Sequence, residues 1–235
     1  MRIQDFVIRI GRKLVFPFLP KSARLPFNYW LHLFAGSIEP ELRHIRAICE
    51  KRGIAIDVGA NVGMFSYRMA RIFSKVYAFE INEGVAADLI AYKSNKIEIV
   101  HSGLSSEDRD MILYTPVLKG VPLDGWASLL PGNCPDTQEH ITKKVHVRPL
   151  DSFSLKDVSF VKIDVEGHEL EVLRGAVETI SASRPVILVE IKDRNLEQVF
   201  GFFKAISYEE ISLQGLCGIE GARENHIFAP CNKTD

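Results

Sequence analysis

Ile54-Ala55-Ile56-Asp57-Val58-Gly59-Ala60-Asn61-Val62-Gly63 decides the fold: an apolar, β-branched run breaks at one glycine, and a second glycine precedes a helical pattern that starts at Met64. Bounded in this way, Ile54 to Val58 reads as a buried strand, and the whole as a strand, a turn and a helix. Glycines at 59 and 63 let the backbone turn tightly and approach a ligand with no Cβ in the way. A GxNxG turn is common in α/β proteins, so its meaning depends on what lies around it.

Downstream the same alternation repeats. A helix is expected over Met64 to Ile72, a strand over Val76 to Phe79, a helix over Val85 to Tyr92 and a strand over Ile97 to His101. After an irregular stretch from Ser105 to Thr142 come a strand (Phe160 to Val165), a helix (Glu169 to Ser181) and a strand (Val186 to Ile191). A helix over Leu196 to Ala205 and strands near Tyr208 to Leu213 and Asn225 to Phe228 close the chain. Strands alternating with helices imply βαβ units, hence a doubly wound α/β domain on a mostly parallel sheet. Met111 to Pro149 is too long for a bare connection, and its Tyr114, Trp126, Ser128 and His140 suit an ordered flap, with Trp126 and Ser128 as candidate ligand contacts. Trp126 would equally fill a small core under that insertion.

Upstream the character changes. Ile3, Phe6, Val7, Ile10 and Leu14 recur at helical spacing, with Arg2, Arg9, Arg12 and Lys13 on other faces, which reads as an amphipathic basic helix. Pro17, Pro20 and Pro26 then punctuate an aromatic-rich segment, and a second helical pattern runs from Glu39 to Lys51. Residues 1–52 are read as an N-terminal helical extension and 53–235 as the catalytic domain. From Met1 to Trp30 only Asp5 offsets Arg2, Arg9, Arg12, Lys13, Lys21 and Arg24, so peripheral contact with an anionic membrane at its inner surface stays open beside simple packing.

The chain as a whole is nearly neutral, with 29 basic and 30 acidic side chains, which gives no bulk attraction to nucleic acid. Cys49, Cys134, Cys217 and Cys231 show no CxxC spacing, so neither a zinc knuckle nor a disulfide framework is expected and a reducing cytoplasm fits. Arg and Lys break every early apolar run, which argues against a membrane span or a signal peptide. Oligomeric state is not legible.

Two acids give the glycine turn its meaning. Asp57 lies inside an apolar strand, where an ionised carboxylate needs a partner: a ligand's ammonium, or the N–H groups of the loop. Glu80 ends the second strand about 20 residues beyond the loop, where nucleotide-binding domains place an acid on the ribose hydroxyls. NAD would need GxGxxG, and an acid just before the turn would repel its pyrophosphate while suiting the amino group of a methionine moiety.

The sequence resembles the FkbM family of S-adenosylmethionine-dependent methyltransferases in IDVGANVGMFS at 56–66, VYAFEIN at 76–82, HSGLSSEDRD at 101–110, FVKIDVEGHELEVLRGA at 160–176 and RPVILVEI at 184–191. The resemblance implies a seven-stranded, Rossmann-like class I methyltransferase sheet whose last two strands form an antiparallel edge. It implies S-adenosylmethionine held by Asp57, Gly59, Asn61, Gly63 and Glu80. Ser102, Gly103 and Leu104 would bracket the adenine, and Asp164 and Glu166 match the acidic motif. The implied acceptor is a small molecule, sugar or lipid-linked glycan.

A hydroxyl acceptor needs a base, and His168, titrating near neutrality, is the candidate, with a helix cap as its structural alternative. Glu169 suits the helix N-terminus, and Asp164 and Glu166 would alternatively satisfy loop N–H groups. No metal is assigned, although Asp164 and Glu190 end adjacent strands and would, with Glu166 or Asp193, suit a divalent cation. The rival functions are an NAD-dependent oxidoreductase and a non-catalytic cofactor-binding protein.

Overall fold

The computed structural model describes residues 3–131, 137 and 139–231. Three helices lead: α1 (Ile3–Val15), α2 (Lys21–Ala35) and α3 (Pro40–Ile48). The alternating part follows as β1 (Ile54–Val58), α4 (Met64–Met69), β2 (Lys75–Phe79), α5 (Ala87–Tyr92) and β3 (Ile97–Val100). Next stand four strands, β4 (Gly103–Leu104), β5 (Arg109–Leu118), β6 (Val121–Pro122) and β7 (His140–Arg148). Then come β8 (Val158–Ile163), α6 (Glu169–Arg174), α7 (Val177–Ser183), β9 (Val186–Glu190), α8 (Leu196–Ala205), β10 (Tyr208–Ile211), α9 (Leu213–Cys217) and β11 (Asn225–Pro230).

The main sheet has seven strands in the order β10-β11-β9-β8-β1-β2-β3, parallel except for β11, which runs against both β9 and β10. The chain winds outward from β1 in one direction and from β8 in the other, so β1 and β8 flank the switch point where α/β sheets open a ligand crevice. Side chains alternate across the sheet. Ala55, Phe160 and Leu188 pack on Leu25, Tyr29, Leu42 and Ile45 of α2 and α3, whereas Ile56, Val58, Ile163 and Ile187 pack with Leu173, Ile180 and Phe203 on the other face. The extension thus supplies part of one core layer. Glu41, buried in α3, accepts hydrogen bonds from the Ala222 N–H (2.7 Å) and from Asn225 Nδ2 (3.1 Å), which ties the extension to the far edge of the sheet.

Two expectations are corrected. The proline-rich segment, after a 3-10 turn at Phe16–Phe18 that holds Pro17, is mostly the helix α2, with Pro20 just before it and Pro26 inside it. A proline leaves the carbonyl four residues back without its N–H, here that of Ser22 in the exposed first turn, where water can serve. The single helix expected over Glu169 to Ser181 is two, α6 and α7, which meet at Gly175 and Ala176, where a Cβ on Gly175 would come 2.0 Å from the Ser105 carbonyl oxygen. Asp151 caps α7 from outside, accepting from the N–H groups of Glu178 (3.0 Å) and Thr179 (2.8 Å).

The insertion forms a second sheet, β4-β7-β5-β6, in which β5 and β7 pair antiparallel from Arg109↔Val147 to Pro116↔His140. Residues 119–129 fold back over it, and Tyr114 and Ser128 exchange backbone hydrogen bonds of 2.8 and 3.0 Å. Residues 132–136 and 138, Cys134 among them, lie outside the described residues. Cys49, Cys217 and Cys231 are free thiols.

Candidate active site

β1 ends in a turn that its glycines make possible. Gly59, Asn61 and Gly63 all have positive φ (77°, 50° and 91°), and a Cβ on Gly59 would fall 1.8 Å from the Asp164 carbonyl oxygen. The chain therefore crosses the end of β8 backbone to backbone. The N–H groups of Gly59 and Ala60 both donate to the Phe79 carbonyl at 3.0 Å, which fixes the turn against the end of β2.

Glu80 follows directly. Its Oε2 accepts from the Asn61 N–H at 2.7 Å and its Oε1 from the Asn82 N–H at 2.8 Å, so one carboxylate staples the glycine turn to the loop after β2. Burial raises its pKa, and the two N–H donors oppose that shift.

These groups border a cavity with about 680 Å³ of free space, open solvent at its mouth included. Gly59, Asn61, Glu80, Ser102, Gly103 and Leu104 form one side, and Asp164 and Glu166 another. The insertion supplies a roof from Leu113, Asp124, Gly125, Ala127 and Leu129. Gly103 is packed tightly, since a Cβ there would sit 2.6 Å from Ile81. Gly63 and Asp57 stand behind this wall: Gly63 abuts Leu89, and Asp57 is fully buried, its Oδ2 accepting from Ser66 Oγ at 2.5 Å and its Oδ1 without a partner. Ser128, expected to touch an acceptor, spends its hydroxyl on the Glu166 carbonyl at 2.8 Å. Trp126 is half-exposed on the roof.

Beneath the cavity runs a chain of alternating charges. Lys162 in β8 is paired in register with Asp57 and holds Asp164 Oδ2 at 2.7 Å. Burial works against its charge, but Asp164, Asp57 and Glu39 outweigh that and raise its pKa well above the usual lysine range. Asp164, Glu166 and Glu190 bring their carboxylates within 4.8 Å of one another, and Asp193 is not among them. Lys192 contacts two of the three, at 2.9 Å from Glu190 and 3.8 Å from Glu166, and also Glu224 at 2.8 Å. Glu166 itself has φ 52°, a left-handed conformation that is costly for this residue and typical of strained functional turns.

The structure does not bring His168 to this cavity. It is buried at the start of α6, with Nε2 3.0 Å from Ser105 Oγ, and burial lowers its pKa. Glu169 is likewise internal, accepting from the Gly167 N–H at 2.5 Å and from Asn195 Nδ2 at 2.8 Å. The sequence reading missed Lys162, although a lysine inside the apolar run Val158–Ile163 signals a buried charge needing acids beside it. It also missed Asp124 and Gly125, whose segment has no periodicity to place it.

The family model of the methyltransferase FkbM domain matches residues 57–210. Among solved structures, the chain resembles a methyltransferase FkbM from Methylobacillus flagellatus at 15% identity and a TM-score of 0.51, over 94% of this chain and 58% of that one. It thus spans less than two thirds of that relative's length. A precorrin-6y C5,15-methyltransferase from Geobacter metallireducens is similar at 14% identity and a TM-score of 0.46, over 80% of this chain and 86% of that one. For a TehB-like SAM-dependent methyltransferase from Corynebacterium glutamicum the values are 10% and 0.47, over 89% and 97%. The first likeness bears on the fold alone, and the other two carry no further argument. No curated protein matches the sequence.

Proposed function

The chain belongs to the FkbM methyltransferase family, and from that premise we propose that it transfers the methyl group of S-adenosylmethionine to a hydroxyl of a small molecule, sugar or lipid-linked glycan. Bound there, the cofactor would supply an electrophilic methyl group on its sulfonium, which leaves alignment, water exclusion and proton handling to the protein.

Glu80 is the observation that carries the reading. Each of its oxygens already accepts one backbone N–H and retains a lone pair, a set suited to two vicinal ribose hydroxyls. Gly59 borders the cavity at the turn, and Ser102, Gly103 and Leu104 line it where a purine would lie. The roof over the cavity keeps water away from the reacting centre. Asp164 and Glu166, on another side of the cavity, would repel a pyrophosphate, which counts against NAD. Glu166 is the group we assign to the acceptor's hydroxyl proton, since the residue borders the cavity and a carboxylate there can accept that proton. His168, bonded to Ser105 away from the cavity lining, is assigned a structural role in place of the base role its type suggests.

Calorimetry with S-adenosylhomocysteine and with NAD tests the cofactor. The first should bind and the second should not, and Glu80→Ala should weaken binding by about 1–3 kcal/mol, the cost of losing a buried charged hydrogen bond. A protein that ignores both S-adenosylmethionine and its demethylated product removes the proposal. Methyl transfer to a panel of hydroxyl and amine acceptors then tests the acceptor class.

A further inference from the structure

We propose that α1 is an interfacial anchor that seats the protein on an anionic lipid bilayer. The helix has two apolar faces, and only one is used for packing. Gly11 faces Leu31 of α2, where a Cβ would already lie 3.0 Å from both of its methyl carbons. Gln4 Nε2 donates to the Gly36 carbonyl at 3.2 Å, and the Phe16 ring meets Phe27 at 5.9 Å, so α1 lies antiparallel along α2. The other face points to solvent. Phe6, Ile10 and Leu14 recur there at four-residue steps, with Val7 beside them, and Phe6 is 50% and Leu14 63% exposed. Phe18, just beyond the helix, is 86% exposed.

The residues beside this stripe choose its occupant. Arg9, Arg12 and Lys13 are exposed, Lys21 follows, and Asp5 is the one acid of the helix. An apolar stripe flanked by cations matches a surface whose interior is hydrocarbon and whose face is anionic. A second copy of the chain fits poorly, because a two-fold contact through the stripe would set the same cations against each other. No helix among the described residues is long and apolar enough to cross a membrane, so the contact is one that lies on the surface. The inference does not depend on the cofactor or the acceptor.

Vesicle co-sedimentation of the full chain tests it, with phosphatidylcholine vesicles made with and without phosphatidylglycerol. The wild type should pellet with the anionic vesicles and lose that binding as salt is raised. Leu14→Glu with Phe18→Ser should weaken binding at least about tenfold, because binding strength follows the apolar area inserted. Arg9→Glu with Lys13→Glu should do the same. All four side chains are exposed, so thermal unfolding should be unchanged in both variants. The proposal is overturned if the wild type stays in the supernatant, or if the Leu14/Phe18 variant pellets as the wild type does. It is equally overturned if sedimentation velocity finds a dimer that this variant dissociates, since the stripe would then belong to a second copy.

Discussion

Inside β8, Lys162 holds its ammonium 2.7 Å from Asp164, which is partly exposed at the cavity, and beside the fully buried Asp57. Lys162→Met would leave two acids uncompensated and should cost about 3–5 kcal/mol, read from urea unfolding. A loss below about 1 kcal/mol would mean that the acids are neutral in the fold. His168 gives a signed expectation. Burial lowers its pKa from an ordinary 6.5, so its contribution is complete above that value and is lost as pH falls from there through its lower folded pKa. Buried carboxylates such as Glu80 and Glu169, with raised pKa values, act in the opposite sense, which makes the difference between proteins the measurement. His168→Gln should remove the extra acid sensitivity, seen as a smaller gap in unfolding midpoint between about pH 7.5 and about pH 5.5. Its methyl-transfer rate should stay near wild type, and a collapse in rate at unaltered stability would restore His168 as the base. At this scale Gly59, Asn61 and Glu80 were legible because spacing after a strand fixes them, whereas which way Asp57 and His168 face depends on packing from distant segments.

Among the elements, the roof tests how the insertion serves the site. Ser128 Oγ donates to the Glu166 carbonyl while its backbone pairs with Tyr114, so one residue joins the roof to the strained acidic turn. Ser128→Ala should loosen that join, costing about 0.5–1.5 kcal/mol for the lost part-buried hydrogen bond and raising KM more than it lowers kcat. Steady-state kinetics with unaltered KM would detach the roof from binding. The strands were readable because β-branched runs stand between turn residues, as at Ile54–Val58 and Val186–Glu190. The break between α6 and α7 was not, since nothing in the helical pattern announces that Gly175 must pass the Ser105 carbonyl. Helix α2 stayed hidden because local rules count Pro26 against a helix, while burial of Leu25, Asn28 and Tyr29 overrides them.

For the molecule as a whole, the extension divides into two parts with different energetic weight. Removing residues 1–17 takes away a helix that touches the rest along one narrow stripe, so the midpoint of thermal unfolding should change by only a few degrees, about what 1 kcal/mol does in a chain of this size. Removing residues 1–49 also strips Leu25, Tyr29, Leu42 and Ile45 from the core, each worth about 1.5–3 kcal/mol of burial, and frees Ala222 from Glu41. That shorter protein should fail to fold cooperatively, and a sharp calorimetric transition from it would show the sheet to be self-sufficient. The carboxylates of Asp164, Glu166 and Glu190 already have Lys162 and Lys192 as counter-charges, so chelators should leave the methylation rate unchanged. The roof has one more consequence on the proposed reading. Because it lies across the glycine turn and is buttoned to the acidic turn, a nucleoside held there would have to enter and leave past it. The expected outcome is an ordered reaction whose turnover follows product exit, and product-inhibition patterns that show random order would count against it.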